Sequence, residues 1–159
     1  MYGTSAYSAS ATFTPAASGH TTPAVVGAAA EFVFKNANGA IPPPGSHLKI
    51  TSATLQINGG TIETTAWRLH LYTVTPPSAY TDTTTFDVSN ATDLTSYLGY
   101  VDLSQVLDLG TTLYIDMPNL NKQIKLTATG TSVFGYLVNG TTLTPQAVAH
   151  IVTLHVVEV

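Results

Sequence analysis

A half-buried β-strand is most clearly indicated by the stretch Ala66-Trp-Arg-Leu-His-Leu-Tyr-Thr-Val74. Its side chains alternate with the two-residue period of a strand that turns one face to a core. The apolar side carries Trp67, Leu69 and Leu71, and the other side carries Arg68, His70 and Tyr72. Two prolines, Pro76 and Pro77, follow the strand and end it, because proline has no N–H to donate to a sheet ladder.

A second strand, in the stretch from Leu48 to Asn58, changes phase partway along. Leu48 and Ile50 set one alternation, and the later apolar residues Ala53, Leu55 and Ile57 set the opposite one. An extra residue in one strand restores the alternation, so the sequence predicts a β-bulge near Thr51-Ser52.

Alternating segments recur along the rest of the chain and bring the predicted total to about eight strands. They are Glu31–Lys35, Leu98–Leu103, Leu113–Met117, Ile124–Ala128, Ser132–Val138 and His150–Val157. No segment of ten residues has a helical period. This pattern predicts an all-β, two-sheet β-sandwich of jelly-roll type. An immunoglobulin-like sandwich remains the alternative, because periodicity does not give strand order.

The chain of 159 residues divides into a predicted N-terminal arm, residues 1–23, and a single β-sandwich domain, residues 24–159. The arm is rich in small residues and carries Tyr2, Tyr7 and Phe13. Two interpretations stay open: a loosely held terminus, or an extended arm whose aromatic residues anchor on the body or on a neighbouring subunit. Within the domain, residues 78–95 form a long polar connection in which Phe86 and Val88 are candidate apolar plugs.

The composition is poor in charge. Charged residues make up 9% of the chain, against roughly 25% in an ordinary soluble protein. A formal charge of -4 with only five basic residues predicts binding neither to nucleic acid nor to an anionic membrane. There are no cysteines, so disulfides and thiolate metal sites are excluded. A neutral surface has a low desolvation cost and suits a protein that functions in an assembly.

The titratable residues show no spacing typical of a catalytic or metal site. The five histidines lack ligand spacing, and His150 and His155 are five residues apart, so one strand places them on opposite faces. Asp82, Asp87 and Asp93 lack the alternate spacing of a calcium loop. No nucleophile, base and oxyanion set is recognisable. We therefore expect no enzymatic activity, no metal and no cofactor.

Arg68, the only arginine, has two interpretations. In one, it is a solvent-facing partner of an aspartate opposite the buried Trp67. In the other, Arg68, His70 and Tyr72 form a recognition stripe, because arginine and tyrosine are enriched at interface centres.

Four motifs resemble those of the head decoration, or cement, proteins of tailed bacteriophages. They are Ile50-Thr-Ser-Ala-Thr-Leu55, Arg68-Leu-His-Leu-Tyr72, Thr75-Pro-Pro-Ser-Ala-Tyr80 and Ser132-Val-Phe-Gly-Tyr-Leu-Val138. The resemblance covers about residues 25–159. Tyr72 stands where phenylalanine is usual in that family, and Phe134-Gly135-Tyr136 alters the usual order.

The resemblance implies a non-enzymatic virion structural protein on the capsid surface, made in the bacterial host cytoplasm. Its implied partners are the major capsid protein and further copies of itself, with a trimer favoured over a dimer. Candidate contacts to the capsid or between subunits are Tyr2, Tyr7, Phe13, Arg68, His70, Tyr72 and Tyr80. The alternative is a carbohydrate-binding or receptor-binding jelly-roll of a tail fibre or baseplate, in which Tyr72, Tyr100 and Tyr114 stack on sugar rings.

Overall fold

Ten β-strands and one short helix form within residues 5–88 and 91–159, which the computed structural model describes. The strands are β1 Ala6–Phe13, β2 Val25–Val33, β3 His47–Ile57, β4 Trp67–Tyr72, β5 Tyr97–Ser104, β6 Leu107–Asp108, β7 Leu113–Met117, β8 Lys122–Lys125, β9 Ser132–Asn139 and β10 His150–Glu158. The helix is α1, Ala91–Leu94. In this part of the chain no helix has the length and apolar character needed to cross a bilayer.

The strands form two antiparallel sheets, which confirms the predicted fold class. One sheet has the order β1-β10-β3-β7-β6, with β8 also paired to β3, and the other has the order β2-β9-β4-β5. Leaving out the short β6 and β8, the first strand pairs with the last, the second with the last but one, and so on inward to β4 and β5. This nested pairing is the wrapping of a jelly roll, a long antiparallel hairpin folded over a core.

The predicted β-bulge in β3 is confirmed. Ser52 pairs with His155 on β10, and Ile50 pairs with the next residue, Val156, so Thr51 is the extra residue. The bulge keeps the apolar residues of both halves of β3 in the core. Leu48, Ile50, Leu55 and Ile57 are all fully buried between the sheets.

The N-terminal segment from Ala6 onward is a strand of the six-stranded sheet. β1 pairs with β10 along eight residues. Its inward side chains are buried, with Tyr7 and Phe13 in the same core cluster as Trp67. Aromatic residues at both ends of β1 therefore anchor the segment on the body of its own chain, and the sandwich begins at β1.

Candidate functional site

The outer face of the four-stranded sheet is covered by residues 73–88 and 91–96, here called the covering connection. Phe86 lies over this face, with its ring centroid 4.1 Å from that of His70 and 6.1 Å from that of Tyr136. A second apolar cluster results, which includes Tyr72 and Val138. The prediction of Phe86 as a plug is confirmed, because its side chain is buried.

This covering changes the predicted recognition stripe. Tyr72 is fully buried, so it is not available to a partner, and its prediction as an exposed residue is wrong. Arg68 is exposed, and its Cζ lies 5.5 Å from the centroid of the Tyr100 ring. Asp102 is the cross-strand neighbour of Arg68, but the ion pairs of the described residues do not include this arginine. Arg68 is therefore the exposed member of the predicted stripe, and it lies over the ring of Tyr100, a residue outside the stripe.

His70 lies between this exposed pair and the covered cluster. Its ring is half-buried, and Nδ1 is 2.8 Å from the hydroxyl oxygen of Tyr97. Burial, together with the positive charge of Arg68, lowers the pKa of His70 to about 4. The ring is therefore neutral at physiological pH and packs as an aromatic residue.

The other predicted contact residues lie mostly inside the protein. Tyr7 and Phe13 are in the core, and Tyr2 lies outside the described residues. Tyr80 is half-buried; its hydroxyl donates to the carbonyl oxygen of Asp87, and its N–H donates to Tyr136 Oη. Tyr80 thus holds the covering connection together, and Arg68 is the one predicted contact residue on the exposed surface of the described chain.

The outer face of the six-stranded sheet is open, in contrast to the covered face of the other sheet. Its outward side chains where β1, β10, β3 and β7 lie side by side are Ser8, Ser10, Thr12, Ser52, Thr54, Gln56, Tyr114, Asp116, Ile151, Thr153 and His155, here called the open face. Beyond it, at the β8 end of the same sheet, the outward side chains include Lys49 and Lys125. The strand register aligns Ser10, Thr153, Thr54 and Asp116 in one row across four strands. Asp116 is the only aspartate, glutamate, lysine or arginine among the eleven residues of the open face.

Six of the eleven residues of the open face are serine or threonine, so most of its side chains are short and uncharged. Ser10 Oγ and Thr153 Oγ1 are 2.8 Å apart, and the Thr51 hydroxyl donates to the carbonyl of His155. Four strands with about five residues each in the open face give an area of roughly 330 Å², from ~4.8 Å between strands and ~3.4 Å per residue. In the sequence, the β1 part of the open face is indicated by the alternation Ser8-x-Ser10-x-Thr12. The sequence analysis did not predict this strand, because its inward residues include small alanines.

Two buried histidine–carboxylate pairs attach loops to the sandwich. His20 Nε2 is 2.7 Å from Asp82, and His150 Nε2 is 3.0 Å from Glu63. The second ring nitrogen of each histidine donates to a carbonyl oxygen, of Ser18 and Val148 respectively. Both rings are fully buried, so neither is in reach of a substrate at the surface.

Asp82 joins three segments of the chain. Its carboxylate accepts hydrogen bonds from the N–H groups of Ala16 and Gly27 as well as from His20. Burial opposes its ionisation, but these hydrogen bonds outweigh burial and lower the pKa of Asp82. Asp82 therefore accepts hydrogen bonds that hold three segments of the chain together, and it does not form a calcium site with Asp87 and Asp93. No group of three histidine, aspartate or glutamate side chains within residues 5–88 and 91–159 is arranged to hold a metal ion.

A groove of about 540 Å³ lies beside β8. Its lining residues are Pro44, Gly45, Thr73, Leu98, Lys125, Leu126, Thr127 and Ala128. Lys125 is the only ionisable group in this lining. A single lysine without an acid or a nucleophile beside it does not form a general acid–base pair.

Comparisons with known proteins give no family. No protein-family profile matches the chain, and no curated protein matches it. Among solved structures, the native virion of Kashmir bee virus at neutral pH is similar over 71% of this chain and 47% of that chain, at 16% identity and a TM-score of 0.22. The heated full particle of Israeli acute paralysis virus is similar over 72% and 47%, at 15% identity and a TM-score of 0.19. The chain spans about half the length of these proteins. At such TM-scores the similarity carries no functional conclusion.

Proposed function

We propose that this protein is a non-enzymatic virion structural protein that binds the outer surface of a phage capsid and cements it. The observation that carries the proposal is the open face, a surface rich in serine and threonine with one carboxylate, on a jelly-roll whose opposite face is covered. The four phage-like motifs support the same proposal. They lie in β3, in β4, in the covering connection and in β9.

The charge of the open face favours protein over nucleic acid or lipid as its partner. The eleven residues contain one carboxylate and no lysine or arginine, and the two lysines of the same sheet face, Lys49 and Lys125, lie beyond them at the β8 end. A phosphate-rich surface therefore gains no ion pairs on the open face itself. Hydroxyl and amide groups lose little solvation free energy when they exchange water for the polar groups of another protein. A flat protein surface is therefore the partner that this face matches best.

The area of the open face favours repeated attachment. About 330 Å² is below the roughly 800 Å² that each partner buries in a standard protein interface. A single copy bound through this face alone is therefore a weak binder. A homo-oligomer matched to a symmetry axis of the capsid repeats the contact and raises the effective affinity by a factor of about 10²–10⁴.

The proposal is tested with purified protein and expanded phage heads that lack it. We expect co-sedimentation at a fixed number of copies per head and a higher temperature of head disruption. No co-sedimentation at micromolar protein contradicts the proposal.

A carbohydrate-binding or receptor-binding role remains the second candidate, supported by the exposed Tyr100, which is 50% accessible. The exposed aromatic surface on which a sugar ring could stack is small. Tyr72 is buried, Tyr114 lies on the other sheet, and the guanidinium of Arg68 already lies over the ring of Tyr100. Binding of the isolated protein to a glycan array, lost in Tyr100→Ala, identifies this second function.

A further inference from the structure

The hairpin that joins β6 to β7 carries two exposed leucines. Leu107 and Leu109 are 63% and 66% exposed, more than any other large apolar residue in residues 5–88 and 91–159. Leu107 pairs with Tyr114, and the same ladder continues at Leu109, whose N–H donates to a carbonyl oxygen over 2.9 Å. Both leucines therefore lie on the same side of the hairpin. Two adjacent apolar side chains left in water at a sheet edge indicate a contact surface.

An acidic residue separates the two leucines. Asp108 is exposed, and its Oδ1 accepts the N–H of Gly110 over 2.7 Å. Within the part of the chain that the structure describes, neither ion pair includes this carboxylate. Residues 107–109, here called the 107–109 segment, therefore offer a partner apolar surface together with one negative charge.

The groove beside β8 has the complementary chemistry. Leu98, Leu126 and Ala128 give it apolar surface, and Lys125 is the only ionisable residue in its lining. Lys125 is exposed, and it takes part in neither ion pair of residues 5–88 and 91–159. The groove volume of about 540 Å³ is within the range of roughly 300–1,000 Å³ found for ligand sites, so the groove has room for protein side chains.

The 107–109 segment and the groove lie at opposite ends of one edge of the six-stranded sheet. β10 pairs with β3 along its length, so β7 and β8 both pair with the other side of β3. Leu107 is level with residue 56 of β3, and Lys125 is level with residue 47, a distance of about 30 Å along the strand. The segment is fixed in its own sheet at this distance, so it is available only to the groove of another molecule.

We propose that the 107–109 segment of one copy of this protein binds in the β8 groove of a second copy. The contact buries the two leucines against the apolar lining and brings Asp108 close to Lys125. A second copy is the occupant because the chain itself supplies both surfaces, and their single charges are opposite. Such a contact joins two different surfaces, and it closes into a ring when the rotation between copies allows it.

This contact rests on the proposed function in one respect, because it is the subunit contact of the homo-oligomer that cements the capsid. Self-association is measured without phage heads. A protein that self-associates through this contact but does not bind heads contradicts the proposed function alone. A protein that binds heads but does not self-associate contradicts the contact alone.

The first test is sedimentation equilibrium of the full chain. We expect wild type to self-associate with a micromolar Kd, and a protein that stays monomeric up to about 0.1 mM overturns the proposal. The double variant Leu107→Ser/Leu109→Ser is expected to raise Kd by at least about tenfold, because it no longer buries two apolar side chains. Ile62→Ser, at a residue that is 57% exposed elsewhere, is the matched control and keeps the wild-type Kd. Equal Kd values for wild type and the double variant also overturn the proposal.

A mixing experiment shows whether the two surfaces bind each other. Ala128 is exposed, and Ala128→Gln places a longer side chain in the groove, so this variant is also expected to lose self-association. In an equimolar mixture, the Leu107→Ser/Leu109→Ser variant supplies an intact groove and Ala128→Gln supplies an intact 107–109 segment. We expect a complex in the mixture and none from either variant alone. Wild-type self-association by Ala128→Gln, or no complex in the mixture, contradicts the contact.

The charge pair is tested by salt. Asp108→Asn keeps the oxygen that accepts the N–H of Gly110 but removes the charge. We expect it to weaken self-association several-fold and to reduce the dependence of Kd on salt concentration. Asp102→Asn, at an exposed carboxylate of the other sheet, is expected to behave as wild type. The same salt dependence for wild type and Asp108→Asn contradicts the pairing of Asp108 with Lys125.

Discussion

His70 makes the stability of the fold depend on pH in a defined window. Its pKa is 6.5 ordinarily and about 4 in the folded chain, so between these values the unfolded chain binds more protons than the folded one. The contribution of neutral His70 to the free energy of unfolding is therefore complete above about pH 6.5, and it is lost as the pH falls towards about 4. The shift corresponds to at most ~3.4 kcal/mol, and solvent contact of the half-buried ring reduces this to about 2 kcal/mol.

The assay compares wild type with His70→Gln, which does not titrate, by chemical denaturation at about pH 7 and about pH 4.5. Carboxylates such as Asp82 titrate in both proteins, so the difference between the two isolates His70. Because pH 4.5 is still above the folded pKa, we expect wild type to lose about 1.5 kcal/mol more than the variant on this acidification. Equal losses, or an NMR titration of His70 near 6.5, refute the reasoning.

Two further predictions concern buried polar contacts and backbone geometry. Asn139→Ala is expected to destabilise the fold by about 2–4 kcal/mol, because its amide accepts the N–H of Ala24 and donates to carbonyls of residues 20, 21 and 141; urea denaturation measures this, and a loss below about 0.5 kcal/mol contradicts it. Gly27→Ala is expected to cost at least about 1–2 kcal/mol, because Gly27 has φ 78° and an added Cβ lies 3.0 Å from Thr14 N. Gly39→Ala, with φ 80° and no atom within 4 Å of the added Cβ, separates the strain from the clash.

Strands with strong contrast between apolar and polar residues could be predicted from the sequence. β7 has the predicted bounds, Leu113–Met117, and the phase change in β3 located its bulge at Thr51. In both cases one face packs against the core, so the pattern is local. β1 was missed, because its outward serines and inward alanines differ little in hydrophobicity.

The burial of Tyr72 could not be predicted from its own strand. It depends on the covering connection, which returns over the sheet and places Phe86 beside Tyr136. The two buried histidine pairs are also long-range, because 62 residues separate His20 from Asp82 and 87 separate His150 from Glu63. Contacts of this kind are set by strand order, which periodicity does not contain. The open face likewise required the register of four strands to align its serines and threonines.

The open face is tested most directly by comparing the binding of three proteins to heads that lack the protein. Thr54→Arg and Thr153→Arg each place a long cation at the centre of the open face, and Thr129→Arg places the same cation on an exposed turn elsewhere. Because all three sites are at least partly exposed, we expect unfolding free energies within about 0.5 kcal/mol of wild type. We expect head binding at least tenfold weaker than wild type for the two open-face variants and unchanged for Thr129→Arg. Equal binding by all three proteins contradicts this expectation.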